Sequence, residues 1–155
     1  MIIEEKFVID FPRQRVWDFL MNDVQGVLTC VPGTEAVDVI DQENYQGLLK
    51  VKVGPVSAKF QGKVTVHERD ANVYHASMIA EGTESKLSSL AKAKVSMHLN
   101  AIAETQTEVV VTGDVRILGM LGQFGQGIIK GKAHSLMGEF AGRIRARLEQ
   151  VPLLI

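Results

Sequence analysis

The strongest constraint on this chain is a run of strict alternation near its middle. Val56, Ala58, Phe60, Gly62, Val64 and Val66 interleave with Ser57, Lys59, Gln61, Lys63 and Thr65. A period of two places one set on each face of a β-strand, the first toward a core and the second toward water. The same alternation recurs in Ala91, Ala93, Val95, Met97 and Leu99, and again in Val109, Val111, Gly113, Val115 and Ile117. Turn-forming clusters at Asp41 to Asn44, Gly54-Pro55, Asp70 to Asn72 and Glu104 to Thr107 separate these runs. Such spacing predicts an antiparallel meander from Glu35 to Arg116, wet on one face and in need of an apolar cover on the other.

Only one segment is long enough to supply that cover. From about Leu121 to Glu149, apolar residues fall at Leu121, Phe124, Ile128, Ala133, Leu136, Phe140, Ile144 and Leu148, the three-and-four spacing of one helical face. Ahead of the meander, residues 2 to 10 alternate as a strand. Pro12 then opens a helix whose apolar face is Val16, Phe19 and Leu20, with Trp17 as a core anchor. Asn22 or Asp23 caps a second short helix reaching Leu28, and Pro32-Gly33 turns the chain. The expected class is α+β: a curved antiparallel sheet of about seven strands around a long C-terminal helix, with two short helices after the first strand. Half of the fourteen glycines lie between Gly119 and Gly142. Glycine inside a helix costs about 0.5–1 kcal/mol against alanine, so close approach of helix to sheet, or room left for a guest, is the expected compensation. Gly119 to Gly127 is expected to form a mobile gate, and Gly62 a bulge or kink that helps the sheet curl.

A chain of 155 residues suits a single domain over 1–150, followed by a short apolar tail over 151–155. Seventeen basic against eighteen acidic side chains leave a net charge of −1, so no global field draws the protein to nucleic acid. One cysteine, Cys30, permits no internal disulfide and suits a reducing compartment. With no basic segment followed by an apolar run at the start and no apolar run near 18 residues, a cytoplasmic protein is expected.

The sequence holds no convincing catalytic constellation. His67, His75, His98 and His134 lie far apart, without the spacing of a metal site, and neither metal nor cofactor is expected. His98 falls opposite in parity to Met97 and Leu99 and should point outward. No base or cation adjoins Cys30 in sequence, which marks it as a small buried hydrophobe. The glycines before Lys132 resemble a phosphate loop only briefly, because Gln126 stands where its first glycine belongs and Ala133 where the magnesium-binding hydroxyl belongs.

Three local strings are more telling: Val16-Trp17, the stretch Cys30-Val31-Pro32-Gly33-Thr34-Glu35, and the stretch from Val51 to Val64, VKVGPVSAKFQGKV. Together they resemble the CoxG family of carbon monoxide dehydrogenase accessory proteins, a branch of the START-like, helix-grip superfamily (SRPBCC), over about residues 2 to 148. The resemblance implies a non-catalytic accessory protein of molybdenum-containing hydroxylases. Its implied service is maturation, membrane recruitment or electron delivery, through a hydrophobic cavity between sheet and long helix.

Apolar walls with few polar groups favour a lipid, isoprenoid or quinone. On the strand and helix phases above, Val51, Phe60, Val64, Val95, Met97 and Val111 line such a space from the sheet, and Leu121, Phe124 and Ile128 close it from the helix. Lys130, Lys132, Arg143, Arg145 and Arg147 bias the last helix toward an acidic partner or anionic lipid headgroups, with peripheral contact at the inner face of the cell membrane. Two alternatives stand beside the carrier. A cyclase or dehydratase would need an acid or base in the cavity, for which Glu81, His75 and Tyr74 are the candidates, and a protein-binding adaptor would have a filled core and an exposed apolar patch.

Overall fold

The computed structural model describes residues 1–150; the apolar tail 151–155 lies outside the described residues. Strand β1 (Ile2–Ile9) leads into helices α1 (Arg13–Asn22) and α2 (Val24–Thr29). Six strands follow: β2 (Thr34–Val39), β3 (Asn44–Val53), β4 (Val56–Asp70), β5 (His75–Glu84), β6 (Ser89–Ala103) and β7 (Gln106–Leu118). A single 3-10 turn (Met120–Gln123) precedes the long helix α3 (Gln126–Gln150). All strands join one antiparallel sheet in the order β1-β7-β6-β5-β4-β3-β2, with the two short helices carrying the chain from one edge to the other. This is the helix-grip fold.

Local chemistry explains the joints. Pro12 sits at the N-cap of α1, where its missing N–H is no loss. Asp23 caps α2 by accepting from the Gly26 N–H at 3.0 Å. Gly33 adopts φ +90 and lies against the Lys50 carbonyl, where a Cβ would come within 2.0 Å, so no other residue fits that turn. Asp41 caps the β2–β3 hairpin by accepting from the Glu43 and Asn44 N–H groups and from the Asn44 amide. These bonds hold its carboxyl below the ordinary carboxylate value.

The strands bulge between Thr34 and Ala36, Val66 and Glu68, and Ala101 and Ala103. The ladder is continuous at Gly62, contrary to the expected bulge there. Instead, Gly62 pairs with Gly47 on one side and Gly82 on the other, so three adjacent strands lack side chains along one transverse row.

The core gathers at one end of the interior. Ile9, Val16, Trp17, Leu20, Cys30, Leu99, Val109, Phe140, Ile144 and Leu148 form one buried cluster, with Phe7, Met97 and Val111 packed against it. Aliphatic side chains of this size contribute about 1.5–3 kcal/mol each when fully buried. Trp17 meets Tyr74 edge-on at 5.7 Å. Tyr74 itself holds a positive φ of 52, and its hydroxyl donates to Gln14 Oε1 at 2.8 Å.

Helix α3 is unevenly seated. Its buried residues are Phe140, Ala141, Ile144 and Leu148, all in the rear half, whereas Ile128 in the first turn is 50% exposed. The helix also starts later than its apolar period suggests, because Gly119 at φ +87 and the 3-10 turn intervene. A Cβ built on Gly127, Gly131, Gly138 or Gly142 would meet nothing within 4 Å. Close helix-to-sheet approach therefore does not explain these glycines; the open space beside them does not require glycine, and we find no structural reason for it.

Candidate functional site

Away from the core cluster, the concave side of the sheet holds a cavity of about 320 Å³, within the range of small-molecule sites. Two transverse rows make its floor. One runs Gly47, Gly62, Gly82, Ala91, and the next runs Tyr45, Val64, Ala80, Ala93, Val115. Phe60, Leu49 and Met78 stand around these rows, and Leu28 and Val31 from α2 and the turn after it form a side wall. The small side chains follow from the strand sequences themselves: glycine or alanine occupies the inward position on four neighbouring strands in the first row and on two in the second.

The lining offers a guest no free hydroxyl. Thr34 Oγ1 donates to the Leu28 carbonyl at 3.2 Å, and the Tyr45 hydroxyl donates to the Gln42 carbonyl at 2.9 Å. Gln46, Lys63, Glu81 and Lys92 border the cavity from strand positions whose side chains alternate to the outer face. Glu81 pairs there with Lys92 at 3.8 Å. The outer face carries its own broad depression, of about 590 Å³, bounded by Gln46, Leu48, Gln61, Lys63, Glu81, Thr83 and Leu90. Its mixed charged and polar rim suits no one class of guest.

The expected lining residues divide. Phe60 and Val64 are in the cavity wall. Val51 and Val95 face inward by register, opposite Ala58 and Met78, but stand outside the lining. Met97 and Val111 are spent on the core cluster. Leu121 is buried at 2% exposure at the end of the sheet, its N–H donating to Ser89 Oγ at 3.0 Å. Phe124 lies against Gly54 in the β3–β4 hairpin. Ile128 turns half outward. No residue of α3 or the segment before it reaches the cavity wall, because the front half of the helix stands off the sheet. The sequence reading missed Leu28, Val31, Tyr45, Leu49, Met78, Ala80, Ala93 and Val115 among the lining residues, and the signal for Ala80 and Ala93 was the alternation that places them in phase with Val64 and Val95.

The candidate acids and bases also fall elsewhere. His75 points to the outer face, where its Nδ1 lies 3.1 Å from Glu68 Oε1 and its ring 6.5 Å from that of His98. Tyr74 is committed to α1. Two carboxylates do face inward. Glu84, 5% exposed, accepts from the Lys59 and Lys86 backbone N–H groups and stitches β4 to the β5–β6 turn. Glu5 on β1 lies under α3, with its Oε2 2.9 Å from His134 Nδ1, and is the main polar tie between the sheet and the helix's front half. Its parity with Phe7 and Ile9 was the available clue. Among the described residues, no group of three or more His, Cys, Asp or Glu side chains is arranged to hold a metal ion.

The basic side chains of α3 do not form one surface. Arg145 donates through Nε and Nη2 to the Val8 carbonyl at 3.0 and 2.7 Å, and Arg147 lies 3.9 Å from Asp23. Lys130 and Arg143 are exposed and Lys132 partly so. Among the described residues no helix is long and apolar enough to cross a membrane.

Comparison with known proteins gives a family and a fold. The sequence model of the CoxG family, described as the G subunit of carbon monoxide dehydrogenase, matches residues 6–149. Among solved structures, a conserved protein from Geobacillus kaustophilus superposes with TM-score 0.85 at 19% identity, covering 97% of this chain and 96% of that one. A START superfamily protein from Mycobacterium smegmatis gives 0.68 at 12% identity, covering 97% and 99%. The Zhui aromatase/cyclase from Streptomyces gives 0.68 at 15%, covering 97% and 94%. At these identities the likeness is one of fold. No match was found among curated proteins.

Proposed function

The chain belongs to the CoxG family, that of the carbon monoxide dehydrogenase G subunit, and from that premise we propose that it is a non-catalytic carrier whose cavity holds an apolar small molecule of the lipid, isoprenoid or quinone class. Its service is to a molybdenum-containing hydroxylase of the carbon monoxide dehydrogenase type, in maturation, membrane recruitment or electron delivery. The observation that carries the reading is the 320 Å³ apolar cavity whose inward hydroxyls are already bonded to backbone carbonyls. Such walls reward burial of hydrocarbon and leave nothing to hold a polar substrate in register for a reaction.

The same arrangement favours a carrier over a cyclase or dehydratase. Glu81, His75 and Tyr74 point away from the cavity, and Glu5, the inward acid nearest the helix, is tied to His134. An open cavity of this size likewise speaks against an adaptor with a filled core. Lys130, Lys132 and Arg143 remain available for a cytoplasmic protein to meet an acidic partner or anionic headgroups at the inner membrane face. Arg145 and Arg147 are better placed to hold α3 against β1 and α2.

Native mass spectrometry with lipid extraction, on protein from a host that makes quinones and isoprenoids, tests the reading. A copurified apolar molecule that is lost in Ala93→Leu is the expected result. An empty protein that also takes up no added quinone or lipid sinks it.

A further inference from the structure

The three glycines of the cavity floor are not equivalent. A Cβ on Gly47 would come within 2.3 Å of the Ala36 carbonyl, so that glycine is required by the close approach of β2. A Cβ on Gly62 would find only the Glu81 and Gly47 carbonyls, at 3.5 and 3.8 Å, which are ordinary contacts. The three atoms nearest to a Cβ on Gly82 would all belong to Phe60, at 3.1 Å for Cδ1, 3.3 Å for Cβ and 3.5 Å for Cγ. The Phe60 ring thus leans across from β4 and rests on the bare backbone of β5.

The sheet makes room for that lean. Directly paired residues of β4 and β5 run as far as Gln61 with Thr83, and beyond them the Lys59 N–H turns to the Glu84 carboxylate instead of a strand carbonyl. With the ladder parted there, the β5 residue at Phe60's own level is Glu84, whose carboxylate is drawn to the Lys59 N–H, and the Phe60 ring tips back over Gly82. It is the largest apolar side chain of the lining and only partly buried. Staggered rotamers permit few other positions for its ring, and the unfilled space beside it is the cavity.

We propose that Gly82 and Phe60 together set the size limit of the guest, Gly82 as the resting place that keeps the ring out of the cavity and Phe60 as the side chain that measures length. The inference rests on the carrier reading and adds a selectivity device to it. A methyl at position 82 pushes the ring into the cavity and shortens what fits. A methyl at position 62 adds its own bulk and nothing more.

The test uses octanoic, dodecanoic and octadecanoic acids displacing a bound fluorescent naphthalene sulfonate from the whole protein. In Gly82→Ala, affinity for octadecanoic acid should fall by about tenfold or more while octanoic acid changes by less than about twofold. Gly62→Ala should weaken the acids evenly. Removing the ring as well, in the Gly82→Ala, Phe60→Ala double variant, should restore the long acid. Phe60→Ala alone should shift preference toward it, which keeps the inference testable if Gly82→Ala fails to fold. Equal weakening of all three acids in Gly82→Ala, no restoration in the double variant, or no shift in Phe60→Ala overturns the size limit and leaves the carrier intact. Wild-type protein that binds none of the acids and no quinone removes both.

Discussion

The two ends of the interior are built from similar residue types and do opposite things. At the packed end, Ile9, Val109, Ile144 and Leu148 reach 0% exposure, with α1 and the rear of α3 pressed onto β1, β6 and β7. At the open end, Phe60, Val64, Met78, Ala80 and Ala93 are only partly buried and surround a cavity. Hydrophobicity therefore does not distinguish core from candidate site here; side-chain volume and the seating of one helix do. Where inward positions carry leucine, isoleucine and phenylalanine, facing elements interdigitate to the usual interior density. Where they carry glycine and alanine and the helix stands off, the same apolar face is left uncovered.

The largest effects should come from the packed end. Ile144→Ala removes a fully buried side chain from the cluster that joins α3 to the sheet, and should cost about 2–5 kcal/mol in urea unfolding. Val64→Ala, at the open end, should cost about 1 kcal/mol or less, because part of its surface already faces unfilled space. Equal losses at the two positions would mean that the open end is as tightly filled as the core.

Adding volume sharpens the contrast. Ala76→Leu, at 7% exposure within the core cluster, should be destabilising by about 1–3 kcal/mol through overpacking. Ala93→Leu on the cavity floor should leave the melting temperature nearly unchanged and lower uptake of an added quinone by about tenfold. A stability loss at Ala93 matching that at Ala76 would break the contrast between the ends.

The helix's front half sits between these extremes. Its tie to the sheet, Glu5 with His134, joins a largely enclosed carboxylate to an imidazole with an 80% exposed side chain, so Glu5→Gln should change global stability by less than about 1 kcal/mol. Backbone amides of residues 129–139 should nevertheless exchange hydrogen faster, and a bound guest should leave sooner. Unchanged exchange in Glu5→Gln would show that the front half is held by something other than this pair.

Much of this was legible in the sequence because period-two alternation and one long period-three-to-four segment leave few ways to cover an apolar sheet. The seven strands, the late helix, the burial of Trp17 and the outward turn of His98 follow from phase, and the burial of Cys30 from its chemistry as a thiol without a neighbouring base. Which inward residues meet empty space does not. Met97 and Val95 share a strand and a face, yet Met97 packs on the core and Val95 does not, because that depends on where α3 lands. The helix start departs from its apolar period for a related reason: Leu121 and Phe124 keep the period, but they serve to close the end of the sheet, against Ser89 and Gly54, before the helix begins.

Cys30 lies on the seam between the two ends and provides the finest test of how far they are coupled. It belongs to the core cluster, while Leu28 and Val31 beside it line the cavity. Burial pushes its thiol above the ordinary value of 9.0, with Arg147 and Arg143 pulling the other way and Asp23 adding to the rise. Because the folded protein holds the proton more tightly than the unfolded chain, the stability tied to this thiol is complete below pH 9.0 and is lost as pH rises through the folded value. At neutral pH, alkylation by iodoacetamide should be slow and should wait for local opening, since the thiolate is the reactive form. If α2 moves with its cavity wall, a bound quinone should slow that labelling a few-fold further. Labelling that is indifferent to the guest would mean that α2 is fixed by the packed end alone, through Asp23 and Arg147, and that the open end fills without disturbing the core.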